Sequence, residues 1–160
     1  MKNFICLIFS AFAISACVNT SNSINPLPKT EALDRFMEEW HDASAANDLD
    51  TYFKMMDKGN FHFLGTQADE DWDKESFKDF CEFHFNNGNG WDFTATSRHW
   101  YYSQDSSVAW FDEQLITPFE ECRGTGVLEM INGKVKIAQY NLTVTIENDK
   151  MKEFIELRKR

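Results

Sequence analysis

The sequence is poor in basic residues and lacks the short motifs that mark the common catalytic sites. It has 16 lysines and arginines against 26 acidic residues, a net charge of −10 at pH 7. This balance argues against a nucleic-acid-binding domain and against a polybasic membrane-surface patch, so we interpret the charge as a means of solubility. No glycine-rich phosphate loop, serine nucleophile motif or zinc-type spacing is present, and we predict neither a cofactor nor a metal.

The longest apolar run lies at the N-terminus and is too short to cross a membrane. Residues 4–13 form an apolar stretch behind Lys2, about the length of a signal-peptide core, whereas a spanning helix needs roughly 20 residues. Ile14-Ser15-Ala16-Cys17 then has the form of a lipobox, in which cleavage precedes an acylated cysteine. An ordinary secretory signal that contains a cysteine is the alternative.

We therefore predict a lipoprotein signal peptide at residues 1–16, an acylated Cys17 with a polar tether through residue 28, and one domain at 29–160. The domain would be anchored on the periplasmic side of the cell envelope. Val18 replaces the aspartate that retains some lipoproteins at the inner membrane, which favours the outer membrane. Two further cysteines, Cys81 and Cys122, either pair as a disulfide in this oxidising compartment or stay free.

Helical periodicity dominates the first half of the predicted domain. Apolar residues recur at helical spacing within residues 30–46, 48–56 and 73–86. Thr30 and Asp48 are predicted N-caps of the first two helices. A short apolar run at 61–64 separates the second helix from the third, and a last amphipathic helix is expected after Asn148.

Beyond Trp91 the periodicity changes from helical to alternating. Four β-rich runs are separated by turn residues, at 93–102, 108–117, 123–131 and 135–145. Asn132-Gly133 between the last two runs is a strong hairpin signal. Helices followed by long antiparallel strands predict an α+β fold, with a curved sheet wrapped against the helices.

Four segments resemble the SnoaL-like branch of the nuclear transport factor 2-like superfamily: residues 63–66 (FLGT), 109–113 (AWFDE), 123–128 (RGTGVL) and 136–142 (KIAQYNL). The resemblance implies a cone-shaped fold with a largely apolar pocket between sheet and helices. Relatives include isomerases, polyketide cyclases, dehydratases and non-catalytic binding modules, and many form homodimers. A fold reused this widely does not define a function.

Aromatic and amide side chains are the candidates for a ligand pocket. The predicted pocket residues are Trp40, Phe63, Trp72, His84, Trp100, Trp110, Gln139 and Asn141. By resemblance, Ile137, Gln139 and Asn141 face the cavity, where the two amides would orient a ligand. For the aromatic residues the alternative is a role in the core, for His84 a hydrogen-bonded core position, and for the amides exposure to solvent.

Asp112, Glu113 and Arg123 are the candidate catalytic residues. If their strands are neighbours, either carboxylate can meet Arg123, and a partly buried carboxylate can act as a general base next to a carbonyl. The alternative is a structural ion pair, because a neighbouring arginine lowers the pKa of a carboxyl group. Two functions follow: a lipid-anchored module that binds a small apolar ligand or an envelope partner, or a cofactor-independent isomerase, cyclase or dehydratase.

Overall fold

The computed structural model describes residues 26–159, so the predicted signal peptide and Cys17 lie outside the described residues. Within residues 26–159 there are four helices: α1 (Thr30–Ala45), α2 (Leu49–Lys54), α3 (Lys74–Asn86) and α4 (Met151–Leu157). Six strands accompany them: β1 (His62–Leu64), β2 (Asp71–Asp73), β3 (Thr94–Tyr102), β4 (Val108–Thr117), β5 (Glu120–Ile131) and β6 (Lys134–Val144). None of the helices in this part of the chain is long and apolar enough to span a membrane.

All six strands belong to one curved, unclosed sheet in the order β2-β1-β6-β5-β4-β3. Every neighbouring pair is antiparallel except β1 and β6, which run parallel. Irregularities in register occur at Thr96 in β3 and at Ala138 in β6. Bulges of this kind bend a strand and increase its twist. The predicted α+β fold is confirmed, although the short strand β2 was not predicted from the sequence.

Local side-chain chemistry sets the helix boundaries, with one difference from the prediction. Asp48 caps α2, since its carboxylate accepts a hydrogen bond from Thr51 N at 3.0 Å. Asp73 caps α3 in the same way through Ser76 N, at 2.9 Å. Thr30 is the first residue of α1 rather than its N-cap, and its hydroxyl lies 3.0 Å from the Tyr102 hydroxyl instead.

The turns between the long strands follow the predicted chemistry. Asn132 and Gly133 both adopt positive φ, 51° and 74°, as a two-residue hairpin turn requires. Cys81 and Cys122 are buried and unpaired, so the alternative of a disulfide between them is not realised in this structure.

The inner face of the sheet packs against α1, α2 and α3 to form the core. Helix α1 contributes Leu33, Met37 and Trp40, which are all buried. On the sheet, Gly126 lies opposite both Phe111 and Tyr140. A Cβ atom at Gly126 would lie 2.7 Å from Phe111 Cε1 and 2.9 Å from Gln139 O. The missing side chain therefore lets the Phe111 ring lie across β5.

Replacing Gly126 with alanine is expected to destabilise the protein by roughly 1–3 kcal/mol, because the added methyl overpacks the core. The matched control is Gly59→Ala, since a Cβ there meets only Asp57 Oδ2, at 3.9 Å, and φ is not positive. Urea unfolding of the two variants measures the difference. Equal stabilities would show that the contact between Gly126 and Phe111 does not constrain the core.

Candidate functional site

A cavity of about 310 Å³ opens between α3 and the sheet, at the end where β4 turns into β5. Its volume is within the range of small-molecule pockets. Most of its lining is aromatic: Phe63, Trp72, Phe77, Phe80, His84, Trp91, Phe93 and Phe119. The remaining lining residues are Gly65, Thr66, Glu70, Asn89, Gly90, Pro118 and Leu142. Such a lining favours a small apolar molecule over a charged one.

One face of α3 supplies a wall of the cavity. Phe77, Phe80 and His84 are spaced by three and four residues, so they project from the same side of the helix. The Phe80 ring stacks on Trp72 at 4.8 Å between centroids, and Phe77 stacks on Phe63 at 4.2 Å. Because these rings also pack on one another, the aromatic wall is formed without a ligand.

Few polar groups line the cavity, and none of them forms an acid–base pair. The Glu70 carboxylate accepts hydrogen bonds from Gln67 N at 3.0 Å and from Gln67 Nε2 at 3.2 Å. These bonds stabilise the loop between β1 and β2 that contains both residues. The His84 ring lies 4.6 Å from the Phe80 ring and forms no side-chain hydrogen bond within residues 26–159. His84 therefore remains available to a ligand, while Glu70 has a structural role.

Glu113 lies at the centre of a buried polar cluster that is separate from the cavity. Its side chain is fully buried, and its Oε1 accepts hydrogen bonds from His41 Nε2 at 3.0 Å and from the Tyr140 hydroxyl at 2.6 Å. Its Oε2 accepts a hydrogen bond from Arg98 Nε at 2.8 Å and lies 2.7 Å from Arg98 Nη2. Both oxygens of this carboxylate therefore accept hydrogen bonds, from donors on α1, β3 and β6.

The same arginine joins the cluster to α1. Arg98 Nη1 lies 3.2 Å from Asp34 Oδ1, which also accepts a hydrogen bond from Trp100 Nε1 at 2.7 Å. A side chain at Gly124 would overlap this region, with its Cβ 2.7 Å from Glu113 Oε1. The small residue on β5 thus leaves the space in which the Glu113 and Tyr140 side chains meet.

The pKa of Glu113 identifies it as an ion-pair partner rather than a base. Burial alone raises this pKa, but the hydrogen bond from His41, the Arg98 guanidinium and the Tyr140 hydroxyl outweigh burial and lower the pKa to about 2. Burial and the Glu113 charge raise the pKa of Tyr140 well above its usual range. A general base that works near neutral pH needs a much higher pKa than that of Glu113.

The predicted aromatic residues are distributed over three environments. Phe63, Trp72 and His84 line the cavity, although their binding of a ligand stays a prediction. Trp40 lies in the core, stacked on Tyr52 at 4.8 Å, and its Nε1 has no hydrogen-bond partner within residues 26–159.

Trp100 and Trp110 both lie away from the cavity. Trp100 packs on Phe111 at 4.8 Å between ring centroids. Trp110 is 45% exposed on the outer face of the sheet, where it stacks on Tyr101.

Gln139 and Asn141 point away from the cavity, contrary to the expectation from the resemblance. The bulge at Ala138 shifts the alternation of β6, so that Ile137, Tyr140 and Leu142 are buried on the inner face. Gln139 and Asn141 are consequently half-buried on the opposite face. One extra residue in a strand reverses the facing of every residue that follows.

Arg123 pairs with neither candidate carboxylate. It is exposed on β5, opposite Gln114, because the register sets Glu113 against Gly124. Asp112 faces outward as well, where it lies 3.1 Å from His99 Nδ1 and accepts a hydrogen bond from the Tyr101 hydroxyl at 3.1 Å. The predicted pairing with Arg123 is therefore wrong, and the arginine that neutralises Glu113 is Arg98.

The aromatic cavity residues that sequence reasoning missed are Phe77, Phe80, Trp91, Phe93 and Phe119. Phe77 and Phe80 lie on the same apolar face of the predicted helix as His84. Helical spacing alone does not tell which residues of such a face line a cavity and which pack in the core. His41, Arg98 and Tyr140 were missed as partners of Glu113 because β3 and β6 carry no signal for their register.

Solved structures of the nuclear transport factor 2-like class share this fold. A domain of unknown function with a cystatin-like fold from Nostoc punctiforme superposes with a TM-score of 0.64 at 11% identity, covering 83% of this chain and 89% of that chain. A nuclear transport factor 2-like protein of unknown function from Pseudomonas putida has a TM-score of 0.62 at 8% identity, with coverages of 75% and 89%.

A protein provisionally named a scytalone dehydratase, from Novosphingobium aromaticivorans, also has a TM-score of 0.62, at 10% identity with coverages of 72% and 83%. Identities this low show the fold alone. The sequence gives the narrower assignment: residues 33–147 match the SnoaL-like domain, and the chain belongs to that family. No curated protein matches the sequence significantly.

Glu113→Gln is expected to destabilise the protein by roughly 3–5 kcal/mol at neutral pH, because it removes the fully buried partner of Arg98 and leaves that charge with the partly exposed Asp34 alone. Since the folded-state pKa is about 2 and the ordinary value is 4.5, the stabilisation by Glu113 is complete above about pH 4.5 and is lost as the pH falls towards 2. Urea unfolding across this pH range measures both effects.

The control for this variant is Glu121→Gln, at an exposed carboxylate on the neighbouring strand. It should change stability by less than about 0.5 kcal/mol and retain the acid-dependent loss. If Glu113→Gln were as stable as the control, the polar cluster would not support the fold.

Proposed function

We propose that this protein is a membrane-anchored lipoprotein whose SnoaL-like domain binds a small apolar ligand in the aromatic cavity. The observation that carries the proposal is the lining itself, in which eight aromatic rings surround about 310 Å³. Aromatic side chains provide a large contact area, and flat rings favour a planar ligand. The ligand in the proposal is therefore a small, planar, largely apolar molecule.

The anchor rests on the lipobox at Ile14-Ser15-Ala16-Cys17. Several acyl chains on Cys17 would hold the domain firmly at a membrane, at about 0.8 kcal/mol per buried methylene. The outer membrane is the proposed location, on its periplasmic side. Homodimer formation stays a prediction.

The distribution of charge favours binding over catalysis. The two carboxylates that we considered as bases, Asp112 and Glu113, lie outside the cavity, and Glu113 is neutralised by Arg98. Glu70 is the carboxylate in the cavity lining, and it already accepts hydrogen bonds from the backbone and the side chain of Gln67. A proton transfer next to a carbonyl would need a free base in the cavity.

An isomerase, cyclase or dehydratase acting on a small carbonyl compound is the second candidate, and His84 is the one observation in its favour. The imidazole lies in the lining, where a ring nitrogen can exchange a proton with a bound molecule. A carbonyl compound that co-purifies with the protein and is turned over by wild type but not by His84→Gln would establish this alternative. Turnover unaffected by that substitution would exclude His84 as its base.

Trp72→Ala is expected to weaken binding of the uncharged fluorescent probe N-phenyl-1-naphthylamine at least tenfold, or about 1.4 kcal/mol, because it removes a ring from the cavity. The matched control is Trp110→Ala, which removes an exposed tryptophan from the outer face of the sheet. Fluorescence titration gives the two dissociation constants.

The control variant should bind the probe as wild type does. If both variants bind equally well, or if wild type does not bind the probe at all, the aromatic cavity is not an apolar binding site. Far-ultraviolet circular dichroism of each variant separates loss of binding from loss of folding.

A further inference from the structure

Five lysines from distant parts of the sequence come together at one end of the sheet, and we call them the lysine cluster: Lys54, Lys58, Lys74, Lys134 and Lys136. Lys136 Nζ donates a hydrogen bond to Lys54 O, and Lys74 Nζ donates to Phe53 O at 2.8 Å. The loop that carries Lys58 pairs with β6 at the residue after Lys136, where Asp57 N donates to Ile137 O at 2.8 Å. The net charge argued against a basic patch, and the cluster was not visible in the sequence because its lysines are spread over some 80 positions.

Part of this arrangement has a structural explanation. Lys74 and Lys136 donate to the last carbonyls of α2, which carry the negative end of the helix dipole. Lys54 is the last residue of α2, so its charge also favours the helix dipole, whereas Lys58 and Lys134 have no such role. The side chains of all three are exposed. Within residues 26–159, none of the five ammonium groups lies within 4.0 Å of a carboxylate.

Asp57 is the carboxylate whose charge acts on both Lys74 and Lys136, and its oxygens are already hydrogen-bonded within its own turn. Asp57 accepts hydrogen bonds from the backbone N–H groups of Lys58, Gly59 and Asn60. Glu129 lies opposite Lys136 in the sheet, and Asp105 lies in the β3–β4 turn at the same end. Burial and then repulsion between neighbouring lysines lower the pKa values of Lys74 and Lys136, as expected of like charges held close together.

The described chain begins at this same end of the sheet. Leu27 N donates to Ser106 O at 2.8 Å in the β3–β4 turn, and Met130 N donates to Ser107 O at 3.2 Å, so this turn lies beside the β5–β6 hairpin. The residues that precede Pro26 therefore join the domain at the end that carries the lysine cluster. Eight residues separate Cys17 from Pro26, a reach of at most about 28 Å.

The cavity mouth lies at the opposite end. Pro118 and Phe119, in the β4–β5 turn, form part of its lining, together with Leu142. Leu142 follows Lys134 by eight positions along β6, which corresponds to about 26 Å in an extended strand. A membrane at the lysine end would leave the mouth open to the aqueous side.

We propose that the lysine cluster docks on an anionic phospholipid surface, and that the domain then stands with its cavity opening away from the membrane. This orientation rests on the proposed lipid anchor at Cys17, which brings the lysine end within reach of the headgroups. The net charge of −10 does not oppose it, because screening confines charge interactions to about 8 Å at physiological salt. The cluster would lie within that distance of a docked surface, whereas acidic residues at the cavity end, such as Glu70, would not.

The test uses the full-length protein purified from a bacterial membrane and reconstituted into vesicles of phosphatidylcholine alone or with added phosphatidylglycerol. A fluorophore is attached at Gln104→Cys in the β3–β4 turn or at Asn86→Cys beside the cavity mouth, and a lipid-borne quencher reports proximity to the bilayer. We expect the first label to be quenched more strongly in anionic than in neutral vesicles, and the second to stay unquenched in both.

The triple substitution Lys54→Gln, Lys58→Gln and Lys134→Gln should reduce the ratio of docked to undocked protein about 100-fold, since each lysine near an anionic surface contributes about 1 kcal/mol. It spares the two lysines that bond to α2. The matched control substitutes Lys150, Lys152 and Lys159 near α4 and should behave as wild type. Equal quenching in both kinds of vesicle, stronger quenching of the Asn86→Cys label, or a triple variant that behaves as wild type would each overturn the proposal.

Failure of the anchor gives a different result. A Cys17→Ser variant should no longer carry acyl chains, which mass spectrometry of the intact protein detects. If the wild-type protein also carried none, the lipoprotein assignment would be wrong. Binding of the unacylated protein to anionic and to neutral vesicles would then be measured in place of quenching. Stronger binding to the anionic vesicles would support the role of the lysine cluster, and equal binding would exclude it.

Discussion

The ion pair between Glu113 and Arg98 is the interaction on which the rest of the domain depends. A carboxylate with no solvent exposure is stable only if charged and hydrogen-bonding partners surround it, and here α1, β3 and β6 supply them. These partners fix how α1 lies across the sheet, and Gly124 leaves room for them on β5. The hydrogen bond to Glu113 fixes the position of Tyr140, whose ring stacks on Phe63, a residue of the cavity lining.

This arrangement separates the polar chemistry of the domain from its cavity. The strongest charges on the inner face neutralise one another inside the core, while the cavity presents mostly aromatic rings. An ion pair in the core can specify one packing arrangement without adding a reactive group to the site. The cavity is therefore better suited to holding an apolar molecule than to catalysing proton transfer. His84 is the lining residue that could still transfer a proton.

The sequence was sufficient for the secondary structure and for the fold class, but only for part of the site. Helical and alternating periodicities predicted the long elements, and Asn132-Gly133 predicted the hairpin. The sequence did not indicate that β3 sets Arg98 against Glu113, because strand register depends on packing that local patterns do not encode. The bulge at Ala138 turned the two predicted amides away from the cavity, and the lysine cluster arises only when α2, α3 and β6 meet.

The most direct test of whether Glu113 is held ionised in the core is a carbon-detected NMR titration of its side-chain carboxyl in the folded protein. We expect a carboxylate that stays ionised from neutral pH down to the acid limit of folding, in line with a pKa of about 2. A carboxyl group that titrates near neutral pH would contradict it. Such a result would make Glu113 a candidate acid or base and would favour an enzymatic function over a binding one.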